Sequence, residues 1–269
     1  MQDLSTMHPR DFRAMVSRGE YDSLTCGQCQ GYVQANLVIL RKEYAEDFEK
    51  FARRNSKAIP LLEVTKPGDH FARLMADEAD ILTSVPRFYV YKNGELVDEV
   101  TDATPYWTDD MVCFLIGCSH SFEKALTDEG MSIRNIDDGH AVSVYRTSIP
   151  CAPSKYFSGP VVVSMRPFPE DQVDKVYEIT GRMPHVHGAP IYHGDPALIG
   201  VDLDKPDWNP PTRFEPGEVP VFWGCGVTPQ AALDQAKPDI VITHKPTHLF
   251  ITDIPNSEIE KILSAQEHT

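Results

Sequence analysis

An Asn-Gly pair between two alternating runs constrains the fold of this chain most strongly. Residues 87–92 and 95–100 each alternate apolar and polar side chains, and Asn93-Gly94 lies between them. Asn and Gly readily adopt the positive φ angles of a two-residue hairpin turn. The pair therefore predicts two antiparallel strands.

Helix and strand patterns alternate along the rest of the chain. Helical spacing predicts helices through most of the first 55 residues, including 31–41, and at 111–116, 122–129, 170–182, 228–236 and from 257. Short apolar runs predict strands at 59–64, 160–166, 219–223, 240–243 and 249–252. The order predicts a mixed α/β (α+β) protein with a compact, three-layer-like α/β core from residues 1–139 and 219–269. Residues 140–218 would form a smaller α+β lobe, and a single domain over 1–269 is the alternative.

The acidic charge balance excludes several classes of partner. The chain has 25 Lys and Arg against 40 Asp and Glu, a net charge of −15. Such a surface repels nucleic acid and anionic membranes, so neither is expected as a partner. A small carboxylate substrate is compatible with this charge where a few arginines converge. The charge does not decide between a monomer and a homo-oligomer. The chain has no long apolar run and no signal peptide, which predicts a cytoplasmic protein with reduced thiols.

Cys26 and Cys29 have the two-residue spacing of a metal knuckle or a redox pair. A structural zinc site needs four ligands, and the sequence has no second Cys or His pair at a matching spacing. Two loop thiols are the simpler interpretation. Nucleotide-binding motifs are also missing, so we expect no metal and no cofactor.

A histidine-rich segment follows at residues 184–196. It contains His185, His187, His193 and Asp195 among Pro and Gly residues. If the first two histidines lie on an extended segment, their side chains point the same way and suggest a metal site or a proton relay. Loop histidines that bond to backbone atoms are the alternative.

Turn residues at the ends of predicted strands indicate a binding site. Trp223 precedes a glycine turn that includes Gly226, and Thr228-Pro229 opens a helix whose free N–H groups could bind an anion. A simple tight turn is the alternative. Since ligands gather at strand ends in α/β sheets, His244 and Trp223 would face one crevice.

Two arginines could clamp a carboxylate through the bidentate fork of the guanidinium group. Arg146 is followed by Thr147, and Arg166 lies near Ser164 at the end of a buried-type strand. Structural ion pairs are the alternative for both arginines. Cys151 lies beside a turn and is a candidate nucleophile, although most buried thiols are inert.

Eight motifs occur in the order typical of a hydro-lyase family that contains the D-glutamate cyclase domain. They are Gly31-Tyr-Val-Gln-Ala-Asn-Leu, Phe114-Leu-Ile-Gly-Cys-Ser, Tyr145-Arg-Thr-x-Ile-Pro-Cys, Gly159-Pro-x-Val-Val-Ser-Met-Arg-Pro, His187-Gly-Ala-Pro, His193-Gly-Asp-Pro, Val221-Phe-Trp-x-Cys-Gly-Val-Thr-Pro-Gln and Ile242-Thr-His-x-Pro-x-His-x-Phe-x-Thr-Asp. The chain resembles this family over roughly residues 8–263.

The resemblance implies elimination of water, in the cyclase case closure of D-glutamate to 5-oxo-D-proline. Such a reaction needs a cation for the untouched α-carboxylate, a role that suits Arg146 or Arg166. Backbone N–H groups at residues 226–228 would bind the reacting carboxyl group. His187, His244 or Asp195 would transfer protons.

Two other classes of function remain open at this point. A dehydratase of a hydroxy acid would use a base beside the α-carbon and a metal on the histidine-rich segment. A non-catalytic carboxylate-binding protein would need the arginines and the glycine turn but no titrating pair. We expect all site residues in one cleft, with Arg146, His187 and His244 within about 15 Å of one another.

Overall fold

The computed structural model describes residues 4–266 and has a mixed α/β fold. The helices are α1 (Pro9–Ser17), α2 (Lys42–Arg54), α3 (His120–Asp128), α4 (Arg134–Asp137), α5 (Val173–Gly181), α6 (Thr228–Ala236) and α7 (Ile259–Gln266). The strands are β1 (Tyr32–Arg41), β2 (Leu61–Val64), β3 (Phe71–Ala72), β4 (Ala79–Asp80), β5 (Phe88–Lys92), β6 (Glu95–Val100), β7 (Met111–Gly117), β8 (Ser143–Pro150), β9 (Pro160–Pro169), β10 (Tyr192–His193), β11 (Glu218–Gly224), β12 (Val241–His244) and β13 (Phe250–Pro255). None of these helices is long and apolar enough to cross a membrane.

The strands form two larger sheets and one short pair. The first sheet has the order β2-β7-β1-β12-β5-β6, and β13 also pairs with β1. The second sheet has the order β10-β11-β9-β8, while β3 pairs with β4. All pairings between the named strands are antiparallel. Ligands gather at the carboxyl ends of strands in parallel sheets, so strand ends do not indicate a binding site in this antiparallel fold.

The Asn93-Gly94 hairpin is confirmed. β5 and β6 pair with Lys92 opposite Glu95. Asn93 has a φ of 52° and Gly94 a φ of 83°. These are the positive angles that a two-residue turn of this type requires.

Two predicted helices are strands in the structure. The segment 31–41 contains the whole of β1, and residues 111–116 lie in β7. Both strands are central in the first sheet and are buried along nearly their whole length, so their sequences do not alternate. A continuous apolar run of this kind cannot be told from a buried helix by its periodicity.

Both major hydrophobic cores join the two sheets. One core contains Phe122 of α3, Phe168 of β9 and Trp223 of β11. The other contains Phe48 of α2 and Phe222 of β11. β11 belongs to the second sheet, although the predicted division at residue 219 assigns it to the first unit. The division into two units stays a prediction.

Candidate functional site

A cavity of about 500 Å³ lies beside α3, and we call it the α3 cavity. Its walls come from the loop that leads into β1, from one face of α3 and from the segment around α4. The lining residues are Leu24, Cys26, Gly27, Gln28, Cys29, Gln30, Gly31, Tyr32, Gln34, His120, Glu123, Lys124, Thr127, Asn135, Ile136, Gly139, His140, Ala141, Thr247 and Asn256. This volume lies in the range typical of small-molecule sites.

Several polar atoms in the wall of this cavity are buried without a hydrogen-bond partner. Among residues 4–266, such atoms include Gln34 Oε1, His120 Nδ1, Asn256 Oδ1 and both amide atoms of Asn135. A buried polar atom without a partner costs about 1–3 kcal/mol, and nearly all such atoms in folded proteins have one. These atoms have almost no exposed surface, so a polar ligand or water in the cavity would bond to them only after a small movement of the wall.

Glu123 is the carboxylate of the cavity wall, and Arg166 orients it from behind. The Nε and Nη2 groups of Arg166 both donate to Glu123 Oε1, at 2.9 and 2.5 Å. None of the hydrogen bonds described for residues 4–266 involves Glu123 Oε2. Oε2 is therefore the oxygen that Glu123 can offer to a ligand.

Arg166 is itself held by several contacts. Its Nη1 donates to Ser164 Oγ and its Nη2 to Ser119 Oγ, both at 3.1 Å. The guanidinium carbon lies 5.1 Å from the ring centre of Phe122 and 5.5 Å from that of Trp223. The Arg166 side chain is fully buried and does not line the α3 cavity, so its role as a clamp for a substrate carboxylate stays a prediction. Ser164 likewise contacts the guanidinium group.

Two further cavity residues have shifted pKa values. Burial lowers the pKa of His120, although the charge of Glu123 opposes the shift. The imidazole is therefore neutral at pH 7 and can accept a proton. Burial raises the pKa of Cys26 to about 11, and Glu123 adds to this effect. The Cys26 thiol is thus protonated at neutral pH and is a poor nucleophile.

His187 lies inside the protein. Its backbone is left-handed, with a φ of 83°, and Nδ1 lies 3.1 Å from the carbonyl oxygen of Lys57. Burial lowers the pKa of His187 to about 4. A short 3-10 turn precedes it, so the extended segment that would align His185 with His187 does not form.

The other polar residues of the histidine-rich segment have separate partners. His185 Nδ1 lies 2.6 Å from Glu260 Oε2, and His193 Nδ1 lies 3.0 Å from the Tyr177 hydroxyl. Asp195 is exposed and accepts a hydrogen bond from the N–H of Ala197. In the described part of the chain, no group of three or more His, Cys, Asp or Glu residues is placed to hold a metal ion.

His244 lines a different cavity, of only about 70 Å³, together with Gly226. Such a space is too small for an amino acid. Leu37 N–H donates to His244 Nδ1 at 3.1 Å, and burial lowers the pKa of this histidine to about 4. Trp223 instead packs in the core and donates from Nε1 to Thr180 Oγ1 at 3.3 Å. The expectation that Trp223 and His244 face one crevice is therefore wrong.

The glycine turn is closely packed. A Cβ atom on Gly226 would lie 1.8 Å from Asn36 Nδ2, so only glycine fits at this position. The N–H and hydroxyl groups of Thr228 both donate to the carbonyl oxygen of Cys225, at 2.8 Å each. Thr228 is the first residue of α6, and Val227 is the N-cap.

The remaining predicted residues lie on or near β8. Arg146 is exposed and contacts Asp234 at 3.1 Å and Asp207 at 3.6 Å. The Thr147 hydroxyl donates to the carbonyl oxygen of Val161 at 2.8 Å. Cys151 is buried, which raises its pKa to about 11. None of the predicted catalytic or binding residues lines the α3 cavity, and their roles stay predictions.

Sequence reasoning missed Glu123, His120, Gln34 and Asn135. A signal was present for Glu123, which is a charged residue on the apolar face of α3, one turn from Ser119 and Leu126. Charged side chains are almost never fully buried without a partner, so a buried cation such as Arg166 is expected next to Glu123. The amides of Gln34 and Asn135 carried no comparable signal.

Comparisons with known proteins agree on one family. The family model described as D-glutamate cyclase matches residues 112–253. The chain is 53% identical over 259 residues to a "Putative hydro-lyase" of Stutzerimonas stutzeri, covering 96% of this chain and 97% of that protein. It is 49% identical over 254 residues to the "Putative hydro-lyase YcsI" of Bacillus subtilis, covering 94% and 99%. A nitrogen repressor-like protein from Methanococcus jannaschii aligns with a TM-score of 0.38 at 10% identity, over 90% of this chain and 97% of that one, which supports no argument.

Proposed function

Because the chain belongs to the D-glutamate cyclase family, we propose that it is a hydro-lyase that closes D-glutamate to 5-oxo-D-proline in the α3 cavity. One observation carries the choice of site: residues with unpartnered buried polar atoms line the same cavity as a carboxylate that a buried arginine orients. Motif segments also contribute to the wall, since Gly31, Tyr32 and Gln34 belong to the first motif and Thr247 to the last.

The reaction moves two protons from the substrate nitrogen to a γ-carboxyl oxygen. Neutral His120 accepts the first proton from the ammonium group and delivers it to the γ-carboxylate, which leaves an amine and a neutral acid. The amine attacks the γ-carbon, and a C–N bond forms. The second N–H proton then passes to the hydroxyl group, the C–O bond breaks and water leaves.

Glu123 supports these steps electrostatically. Oε2 can accept a hydrogen bond from the substrate ammonium and stabilise the imidazolium that forms on His120. The amide side chains of Gln34, Asn135 and Asn256 can bond to the substrate's carboxyl oxygens and nitrogen. The reacting groups belong to one molecule, so orientation supplies much of the acceleration.

The assay is direct. The purified protein is incubated with D-glutamate, and separately with 5-oxo-D-proline, while chiral chromatography follows both compounds. We expect interconversion in one or both directions. Conversion of neither compound by a folded protein contradicts the proposed reaction, and binding without conversion favours a carboxylate-binding protein.

Variants of the cavity test the site. Glu123→Gln should lower kcat by roughly 10²–10⁴, whereas Glu129→Gln, at the exposed end of α3, should retain activity. Glu123→Gln leaves the Arg166 charge unpaired and can impair folding. Asn135→Ala keeps the ion pair and should raise KM about tenfold. Full activity in both cavity variants would place the reaction elsewhere.

A further inference from the structure

The α3 cavity changes in character from its inner end to its mouth. Asn135 and Glu123 are only 1% and 4% exposed, whereas Leu24 and Ile136 are 47% and 46% exposed. Leu24 and Ile136 are therefore apolar lining residues at the solvent-exposed part of the cavity, which we call its mouth, whereas Asn135 and Glu123 lie at its buried part. Large exposed apolar side chains that line a cavity indicate contact with an apolar part of a ligand.

The charges of the wall disfavour a second carboxylate on the ligand. Among the described lining residues, Lys124 is the single Lys or Arg, and its Nζ lies 2.7 Å from Asp128 Oδ1. The guanidinium group of Arg166 is already bound to Glu123, Ser164 and Ser119. The free α-carboxylate of D-glutamate would therefore bind more weakly than a neutral amide, because it lies near the Glu123 charge without an unpaired Lys or Arg of the described wall. A neutral amide could instead bond to the Gln34, Asn135 and Asn256 side chains.

The volume of the cavity exceeds the needs of glutamate. Glutamate has about ten non-hydrogen atoms and would fill at most roughly 300 Å³, because a bonded atom takes less than the ~30 Å³ that a whole water molecule occupies in the liquid. The cavity measures about 500 Å³. The remaining space accommodates one further side chain of moderate size.

From these observations we infer that the cavity takes a D-glutamyl residue whose α-carboxyl group is joined through an amide to an apolar residue. This inference rests on the proposed function and names its substrate class: short peptides or amides that begin with D-glutamate. The reacting amine and γ-carboxyl group lie at the inner end near His120 and Glu123. The α-amide, which does not react, leads to the apolar residue at Leu24 and Ile136.

The chemistry balances as it does for the free amino acid. A bond forms between the α-nitrogen and the γ-carboxyl carbon, and a C–O bond of that carboxyl group breaks. Two protons move from nitrogen to the departing oxygen, which leaves as water. The α-amide is unchanged, so the product is a peptide or amide with an N-terminal 5-oxo-D-prolyl group.

Three probes separate the effect of charge from that of apolar contact: D-glutamate, D-glutamic acid α-amide and D-glutamyl-leucinamide. Calorimetry gives the Kd of each, and chromatography gives kcat/KM for the lactam product. We expect the α-amide to bind about tenfold more tightly than D-glutamate, and the leucinamide about tenfold more tightly again. The double variant Leu24→Ser/Ile136→Ser should remove the tighter binding of the leucinamide relative to the α-amide. It should preserve the tighter binding of the α-amide relative to D-glutamate.

Leu198→Ser is the matched control, because Leu198 is 73% exposed and does not line the α3 cavity. It should change none of the three Kd values. Equal Kd values for D-glutamate and both amides would overturn the inference, and so would a leucinamide gain that survives the double variant. The Kd values decide this even if no probe forms a lactam. Failure of all three probes to cyclise would contradict the proposed function instead.

Discussion

Two polar regions of this protein differ in how far their own side chains satisfy them. In the histidine-rich segment 184–196, His185 bonds to Glu260, His193 to Tyr177 and Asp195 to a backbone N–H. In the α3 cavity, both amide atoms of Asn135 and Nδ1 of His120 are buried and unpartnered within residues 4–266. The first region is the richer in residues typical of active sites, and the second has polar atoms that no described protein group satisfies.

The two regions show that a residue of a type common in active sites does not always have a polar atom free to bond to a ligand. A histidine that already bonds to a carboxylate or hydroxyl group must break that bond before it contacts a substrate. An atom without a protein partner can bond to a ligand without breaking a bond to another protein group. The proposed site therefore rests on residues with unsatisfied hydrogen-bonding groups and not on residue type alone. His187 is intermediate, because Nδ1 contacts the Lys57 carbonyl oxygen while Nε2 is unpartnered among the described residues.

The same substitution in each region tests this comparison most sharply. His120→Asn removes the proton acceptor of the cavity and should lower kcat by roughly 10²–10⁴. His193→Asn removes a partly exposed surface bond and should leave kcat within about twofold of the wild-type value. Steady-state kinetics on the active substrate measures both. A large loss in His193→Asn with little loss in His120→Asn would reverse the two assignments.

Much of the fold was predictable because local chemistry determines it. Asn93-Gly94 fixes a hairpin through its own φ angles, and Thr228-Pro229 opens a helix within one residue of the expected position. β1 and β7 were not predictable, since burial on both faces removes alternation from their sequences.

The candidate site was less predictable than the fold because its residues meet only through tertiary structure. Arg166 and Glu123 are 43 positions apart in sequence and form one buried ion pair. Gln34 and Asn135 come from separate parts of the chain and line the same cavity. Motif positions indicate which segments matter, but they do not state which polar atoms lack partners.

A glycine substitution tests the packing role of the histidine-rich segment. A Cβ atom on Gly117 would lie 2.1 Å from the carbonyl oxygen of His185, which is a backbone atom and cannot rotate away. Gly117→Ala should therefore destabilise the protein by about 3 kcal/mol or more, measured by urea unfolding. In Gly181→Ala, the nearest atom would be Ala189 Cβ at 3.7 Å. This control should be neutral or stabilising by up to about 1 kcal/mol. Equal stability of the two variants would show that His185 can move.

The pH dependence of stability tests the burial of His187. Burial lowers the pKa of His187 to about 4 in the folded state, against about 6.5 in an unfolded chain. The unfolded state thus binds more protons below pH 6.5. Stability is full above pH 6.5, falls as the pH drops to about 4 and then levels off, with a loss of up to about 3 kcal/mol. Burial also lowers the pKa of His244, so its protonation contributes a loss of stability in the same pH range.

Unfolding free energies at pH 7, 6, 5 and 4 measure this loss. The slope in His187→Asn should be shallower than in the wild type, whatever its absolute stability, because one protonating group has been removed. An unchanged slope would mean that His187 is protonated, or exposed, in the folded protein.

The smallest expected effect concerns Arg146, which residue chemistry favours as a carboxylate clamp. It is 41% exposed, pairs with Asp234 at 3.1 Å and has its guanidinium carbon 5.1 Å from the ring centre of Trp208. Exposed ion pairs contribute about 0–1 kcal/mol, so Arg146→Lys should change the free energy of unfolding by less than about 1 kcal/mol. KM should also stay unchanged, because Arg146 does not line the α3 cavity. Lysine cannot reproduce the bidentate fork, so a true clamp would instead give about a tenfold higher KM with little change in kcat. That result would place the binding site of the substrate carboxylate at the second sheet. Bound water, and not substrate, would then be the partner of the unpartnered atoms in the α3 cavity.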